Sequence, residues 1–177
     1  MHKVIFLDRD GCINVDHDEW WRADLFQLHD HVPEALKMLR ATGYKLALIT
    51  NQGGVATGLY TNEEVIELHQ LMQKQLAADG AELDAIAYCP HHSKKTICEC
   101  RKPKPGMAKK IEEELGEIDY ANSWMIGDKD TDVGFGKNNG TRTAIIKTGQ
   151  YWQDESELKF KPDLIVDSLF DFAQKVT

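Results

Sequence analysis

The stretch Val4-Ile5-Phe6-Leu7-Asp8-Arg9-Asp10-Gly11 decides how the rest of the chain reads. Four apolar residues follow one another without polar alternation, as in a strand covered on both faces, and the run gives way at once to charge. Strands of that kind belong to parallel sheets whose crossover helices lie on either side. Similar runs recur at 45–49, 85–88, 124–126, 143–146 and 164–166, with segments of helical period between them. The expected fold class is therefore α/β, with a central parallel sheet.

The intervening segments carry helix signals. Residues 33–41 place Leu36, Met38 and Leu39 on a helical period and stop before Gly43. Thr61 with Glu64 forms a capping box, and Val65, Leu68, Leu71, Met72 and Leu76 then make one apolar stripe, read as core packing, up to Asp79-Gly80. Further helices are expected at 107–115, 130–138 and 168–176, while the polar stretch 149–162 reads as a surface connection. The length of 177 residues fits one domain spanning 1–177.

Charge and composition narrow the function classes. The net charge of -8 is spread along the chain, which argues against a nucleic-acid groove, so a phosphorylated substrate must be drawn in by local cations. No run approaches the roughly 20 apolar residues of a membrane span. A cytoplasmic, monomeric enzyme without nucleic-acid or membrane partners is the expectation.

In an open parallel sheet, ligands collect beyond the carboxyl ends of the strands. Asp8 and Asp10 stand there, and their spacing of two in extended chain predicts that they point the same way. Paired carboxylates repel unless they share a cation or one holds a proton, the conditions of a magnesium site with an acid/base carboxyl. A plain turn or helix cap explains Asp and Gly after a strand equally well. The other strand ends tip the balance. Thr50-Asn51-Gln52-Gly53-Gly54 offers a hydroxyl, amides and free N–H groups for phosphoryl oxygens. Arg101-Lys102-Pro103 and Gly127-Asp128-Lys129-Asp130-Thr131-Asp132 follow later strands.

Taken in order, Asp-x-Asp-Gly, Thr-Asn, Lys-Pro and Gly-Asp-x-x-x-Asp resemble the four motifs of the haloacid dehalogenase superfamily, over most of the chain from Lys3 to about Gly149. The resemblance implies a Rossmann-like three-layer sandwich and a phosphoric monoester hydrolase. It implies Asp8 as nucleophile, Asp10 as general acid/base, and Thr50 and Lys102 as ligands of the phosphoryl oxygens. Magnesium would be held by Asp8, the backbone carbonyl of Asp10 and Asp128, with Asp132 acting directly or through water. Phospho-acceptor signalling domains share an Asp, Thr, Lys and magnesium on a parallel sheet. Their acceptor lies mid-sequence, whereas Asp8 sits in the opening strand beside an acid/base carboxyl, which favours turnover.

Cys89-Pro90-His91 and Cys98-Glu99-Cys100 supply three sulfurs and an imidazole within the 89–100 loop. In a reducing compartment that set predicts a closed, structural zinc site shaping the approach to Arg101 and Lys102. His92 is an alternative ligand, and resemblance points to His91. Cys12 reads as a small neutral residue.

The intervals between motifs, about forty and about fifty residues, leave no room for a large cap domain. Segment 14–22 and the zinc loop then serve as specificity walls. Phe6-Leu7-Asp8-Arg9-Asp10-Gly11, Ile13-Asn14-Val15-Asp16-His17, Cys89-Pro90-His91-His92, Cys100-Arg101-Lys102-Pro103, Pro105-Gly106-Met107 and Gly127-Asp128-Lys129 are similar to the D-glycero-D-manno-heptose-1,7-bisphosphate phosphatases. That family implies removal of the 7-phosphate in nucleotide-activated heptose and lipopolysaccharide core synthesis, with Asp16, His17, Asn51, Gln52, Gly53, Arg101 and Lys129 holding substrate. Trp20-Trp21 and Thr57 depart from its pattern, and the short zinc loop between His91 and Cys98 brings the chain nearer to the related histidinol-phosphate phosphatases. Charge separates the two: an ammonium asks for acids such as Asp16, Asp18 or Glu19, a second dianion for Arg101, Lys104 and Lys129. The bisphosphate is the favoured substrate.

Overall fold

The opening run forms strand β1 (Val4–Leu7), and all four of its residues are buried. Their burial has two addresses. Val4 and Phe6 join the apolar layer of Met107, Ile111 and Phe135, whereas Ile5 and Leu7 join that of Leu36, Leu39 and Phe172. A strand whose alternate side chains meet helices on opposite faces has no position for a polar residue, which explains the missing alternation.

The computed structural model describes residues 1–17, 21–149 and 155–177. Beside β1 run β2 (Lys45–Asn51), β3 (Ala85–Cys89), β4 (Trp124–Gly127), β5 (Arg142–Ile146) and β6 (Leu164–Val166). Every pairing is parallel, and the sheet order is β3-β2-β1-β4-β5-β6. The order reverses at β1, so the β1–β4 boundary opens the crevice in which such sheets bind ligands. The helices are α1 (Val32–Ala41), α2 (Gly54–Thr57), α3 (Asn62–Ala78), α4 (Gly106–Leu115), α5 (Asp130–Asn139) and α6 (Leu169–Val176). Together they make a three-layer α/β sandwich.

Two differences from the sequence reading bear on the site. Strands β2 and β3 run past their apolar cores, because Thr50 pairs with Tyr88 and Asn51 with Cys89 in the ladder. The polar motif residues at those ends are thus fixed by backbone hydrogen bonds rather than carried on loops. On α3 the expected capping box is formed: the Glu64 amide donates to Thr61 Oγ1 and the Thr61 amide to Glu64 Oε2. The buried stripe, however, includes His69 and leaves Leu71 only half-buried. A histidine on a core face needs a buried partner, and it has one in Arg9.

Candidate active site

The Asp8 amide donates to the Ile126 carbonyl of β4, seating the residue at the mouth of the β1–β4 crevice. Asp8 Oδ1 lies 2.8 Å from Lys102 Nζ, which also meets Asp132 Oδ1 at 2.7 Å and donates to the Ile49 carbonyl. All three side chains are buried. Burial works to raise the Asp8 pKa, but the Lys102 and Lys129 charges, with hydrogen bonds from Lys102 and the Arg9 amide, outweigh it and hold the carboxyl below its ordinary value. The group at the crevice mouth is kept anionic, as a nucleophile must be.

Asp128, at the start of the turn after β4, stands in a different state. Among the described residues neither of its carboxylate oxygens has a hydrogen-bond partner, and its ion-pair contact is Lys129 Nζ at 3.6 Å. Its pKa is pushed up to about 8, first by burial and then by the Asp8 and Asp132 charges, against the pull of Lys129. Carboxylate oxygens of Asp8, Asp128 and Asp132 all lie within 4.8 Å of one another. A buried, unpartnered carboxylate among two others is the donor set a hard divalent cation completes. Asp132 differs from Asp128 in its close ion pair, Oδ1 to Lys102 Nζ at 2.7 Å, and in the Lys129 amide that donates to its Oδ2 at 3.0 Å.

The same-side expectation for Asp8 and Asp10 is met, but not by strand spacing. The strand ends at Leu7, and in the turn that follows it Asp10 lines the same cavity as Asp8. The two carboxylates have different close partners among the described residues. Asp10 accepts from Arg9 Nε at 2.9 Å and Nη2 at 3.0 Å, from Asn14 Nδ2 at 3.1 Å and from Gln52 Nε2 at 3.0 Å. Its charge is balanced by the buried guanidinium of Arg9, and the carboxylates gathered around Asp8 are Asp128 and Asp132.

The cavity itself is about 580 Å³ and is lined by Asp8, Asp10, Thr50, Asn51, Arg101, Lys102 and Lys129 among the residues expected from sequence. Ser93, Thr96, Ile97, Pro103, Lys104 and Thr131 also line it. Ser93 and Thr96 carried no motif signal, and their placement follows from the path of the Cys/His loop; Thr131 comes from the start of α5, within the Gly-Asp-x-x-x-Asp motif. Asn51 turns out to face Lys102: its Oδ1 accepts from the Lys102 amide at 2.9 Å and its Nδ2 donates to the Lys102 carbonyl at 3.2 Å. Arg101 Nη1 donates to the His91 carbonyl at 2.9 Å, which ties it to the metal-ligand loop.

Several expected substrate ligands stand elsewhere. Gln52 is fully buried and is bonded to Asp10, Thr50 and Tyr60, so its placement contradicts direct contact with substrate. The amides of Gln52 and Gly54, expected to be free for phosphoryl oxygens, donate to the Cys89 carbonyl and to Tyr60 Oη. Gly53 packs under Arg101 and His92. His17 Nε2 lies 3.2 Å from the Leu25 carbonyl, and neither His17 nor Asp16 is among the described residues lining the cavity. Asp18, Glu19 and Trp20 lie outside the described residues.

Cys89, His91, Cys98 and Cys100 come together in the loop after β3, with all four ligand atoms within 4.8 Å of one another. Cys89 Sγ is 3.8 Å from Cys98 Sγ and 3.1 Å from Cys100 Sγ, and His91 Nδ1 is 3.2 Å from Cys100 Sγ. Zinc–sulfur bonds of about 2.3 Å in a tetrahedron space sulfurs roughly 3.8 Å apart; the Cys89–Cys98 pair has that spacing, the Cys89–Cys100 pair is closer, and the donor set of three thiols and an imidazole suits such an ion. It is His91, not His92, whose ring turns inward; His92 Nδ1 accepts from the Lys94 amide. None of the four cysteines is in a disulfide.

A buried Asp paired with lysine at the switch point of a parallel sheet, beside a cluster of carboxylates, is the arrangement of the haloacid dehalogenase class of hydrolases. The HAD-hydrolase-like family model matches residues 99–172. The D-glycero-β-D-manno-heptose-1,7-bisphosphate 7-phosphatase of Pasteurella multocida (strain Pm70) is 40% identical over 99% of this chain and 97% of its own length. The enzyme of the same name from Yersinia pestis is 40% identical over 98% of this chain and 94% of its own. A crystal structure of D,D-heptose 1,7-bisphosphate phosphatase from B. bronchiseptica, complexed with magnesium and phosphate, superposes with a TM-score of 0.88 at 29% identity, covering 98% of this chain and 97% of that one. The chain belongs to the D-glycero-β-D-manno-heptose-1,7-bisphosphate 7-phosphatase family.

Proposed function

We propose that this phosphatase removes the 7-phosphate of D-glycero-β-D-manno-heptose 1,7-bisphosphate through a phosphorylated Asp8. The observation that supports it most is the buried Asp8–Lys102–Asp132 arrangement beside the unpartnered Asp128, opening on a cavity with Arg101, Lys104 and Lys129 in its wall. With Asp10 protonated in the substrate complex, Asp8 Oδ attacks phosphorus while the bond to the sugar O7 breaks, and Asp10 gives that oxygen its proton. Asp10 then takes a proton from water, which attacks the aspartyl-phosphate and frees inorganic phosphate and Asp8. Thr50 and Lys102 hold the equatorial oxygens, and Asn51 acts by locking the Lys102 backbone.

Magnesium fits the carboxylate cluster, and when bound it offsets the repulsion between nucleophile and phosphate. Asp8, Asp128 and the Asp10 carbonyl would hold it. Asp132, ion-paired with Lys102 at 2.7 Å, is assigned the anchoring of that lysine, and it stands within reach of the same cation. The raised pKa of Asp128 makes the folded chain bind that proton more tightly than the unfolded one does. Its stabilising effect is then fully present below the ordinary 3.8 and lost as pH rises through about 8. Asp8, shifted down, acts the other way and only on the acid side. Chelator-treated protein should therefore lose Tm between about pH 5 and pH 9, and magnesium should raise Tm more at the alkaline end. Equal magnesium increments at both ends, in a thermal-shift titration, would remove Asp128 from the cation site.

The cysteine–histidine quartet is assigned to structural zinc, which braces the loop carrying Arg101. Protein purified without chelator should hold about one zinc per chain by elemental analysis, and Cys100→Ala should lose it with a lower Tm. Zinc-free protein of undiminished Tm would count against the assignment.

The substrate is tested by comparing kcat/KM for heptose 1,7-bisphosphate, histidinol phosphate and sugar monophosphates. The described cavity wall is cationic around its carboxylate floor, which suits a second dianion and not an ammonium. We expect the bisphosphate to lead by at least about tenfold; a lead for histidinol phosphate would reassign the substrate.

A further inference from the structure

Two lines of buried residues converge on Asp10 from the side away from the cavity. Arg9 is 0% exposed, and beyond its two hydrogen bonds to Asp10 it places Nη1 3.2 Å from His69 Nε2 on α3. A guanidinium only donates, so His69 must accept at Nε2 and keep its proton on Nδ1. Burial and the Arg9 charge lower the His69 pKa to about 3, so the ring remains a neutral acceptor at any working pH.

The second line runs through Gln52, whose Nε2 donates to Asp10 at 3.0 Å and to Thr50 Oγ1 at 2.8 Å. Its Oε1 accepts from the Tyr60 hydroxyl at 3.0 Å, which in turn accepts from the Gly54 amide at 3.2 Å. The phenol thereby fixes which end of the Gln52 amide faces the two site residues. Tyr60 is itself held. It is 3% exposed, Trp21 stacks on its ring with centroids 5.8 Å apart, and a Cβ on Gly54 would overlap that ring.

We propose that Tyr60 and His69 are positioning residues for phosphoryl transfer: neither lines the cavity, and each holds the Asp10 carboxyl in place through an intermediate side chain, Gln52 or Arg9. The inference rests on the reading of Asp10 as general acid. A hydroxyl on Tyr60 and an acceptor on His69 are then required, not merely bulk that fills the space. The ring of Tyr60 alone keeps its stacking on Trp21 while losing the hydroxyl's bonds to Gln52 and Gly54, and a leucine at 69 keeps an apolar side chain on α3 while losing the acceptor toward Arg9.

The leaving group provides the test. An alkoxide leaving from a sugar phosphate needs the Asp10 proton, whereas nitrophenolate leaves without it, and kcat/KM reports the step that phosphorylates Asp8. For heptose 1,7-bisphosphate, Tyr60→Phe and His69→Leu should each lower kcat/KM about tenfold, chiefly through kcat. For 4-nitrophenyl phosphate the loss should stay below about threefold. His69→Gln, which restores an acceptor toward Arg9, should recover most of the His69→Leu loss. Equal losses on both esters, no loss on either, or no rescue by glutamine would overturn the proposal. Should Tyr60→Phe not fold, the Leu and Gln pair at 69 decides alone. Asp10→Asn sets the reference. If it fails to discriminate between the esters, the acid role of Asp10 falls and the inference with it; if it discriminates while the other variants do not, only the inference falls.

Discussion

Asp8→Asn should lower kcat by at least about four orders of magnitude, roughly 5 kcal/mol of barrier, while leaving the fold intact. An amide oxygen is too weak a nucleophile to displace a sugar alkoxide from phosphorus, and no described group stands in the place of Asp8. Lys102 retains its contact with Asp132 in the variant, so the buried cation is not orphaned. Removing one anion from the neighbourhood of Asp128 also relieves the repulsion that raises its pKa. Unfolding should consequently stay cooperative and the circular dichroism unchanged. Single-turnover assays on protein shown by mass spectrometry to be free of deamidation provide the measurement. Rates within tenfold of the parent chain would remove Asp8 from the nucleophile's role.

What could be read from the sequence depended on how far apart the partners lie along the chain. The sheet was legible because a strand covered on both faces leaves its mark within four residues, as Val4 to Leu7 do. The cysteine–histidine quartet was legible because its ligands sit on one short loop and their chemistry is distinctive. Arg9 was not. It occupies the variable position between two aspartates, and its meaning comes from His69, 60 residues away on a helix whose apolar period hides it. Gln52 misled for the same reason. Beside Thr50 and Asn51 it reads as a ligand, and only the approach of Tyr60 and Asp10 shows it facing inward. Asn51 also changes meaning, from a group offered to substrate to a clamp on the backbone of Lys102. Short-range pattern locates strands and nucleophiles. Which polar side chains face the ligand and which face each other is decided by contacts between distant segments.

The same distinction makes Lys102→Met the variant of largest expected effect on stability. Lys102 is 3% exposed and is the cation shared by Asp8 and Asp132, while Asp128 stands unpartnered beside them. Methionine matches the length of the stem but supplies no charge, so the carboxylates are left facing one another in a buried site. Breaking a buried pair by removing one partner costs about 3–5 kcal/mol. For a chain of this size that corresponds to a fall in Tm of roughly 6–20 °C. The deficit has a pH signature. Lys102 has its pKa raised, against the effect of burial, by Asp132 and Asp8, so in the parent chain its contribution is fully present below the ordinary 10.5 and is lost only on the alkaline side. In the variant, acid relieves the strain by protonating the orphaned carboxylates. The Tm gap between parent and variant should accordingly be wide near pH 8 and narrow near pH 5, and magnesium should close part of it at the higher pH. Turnover should fall by about 10²–10³ as well, since the ammonium proposed to meet the phosphoryl oxygens is gone. Calorimetry of both proteins without and with magnesium separates these effects, and a variant that melts within about 2 °C of the parent near pH 8 would show that Lys102 does not hold the carboxylate cluster together.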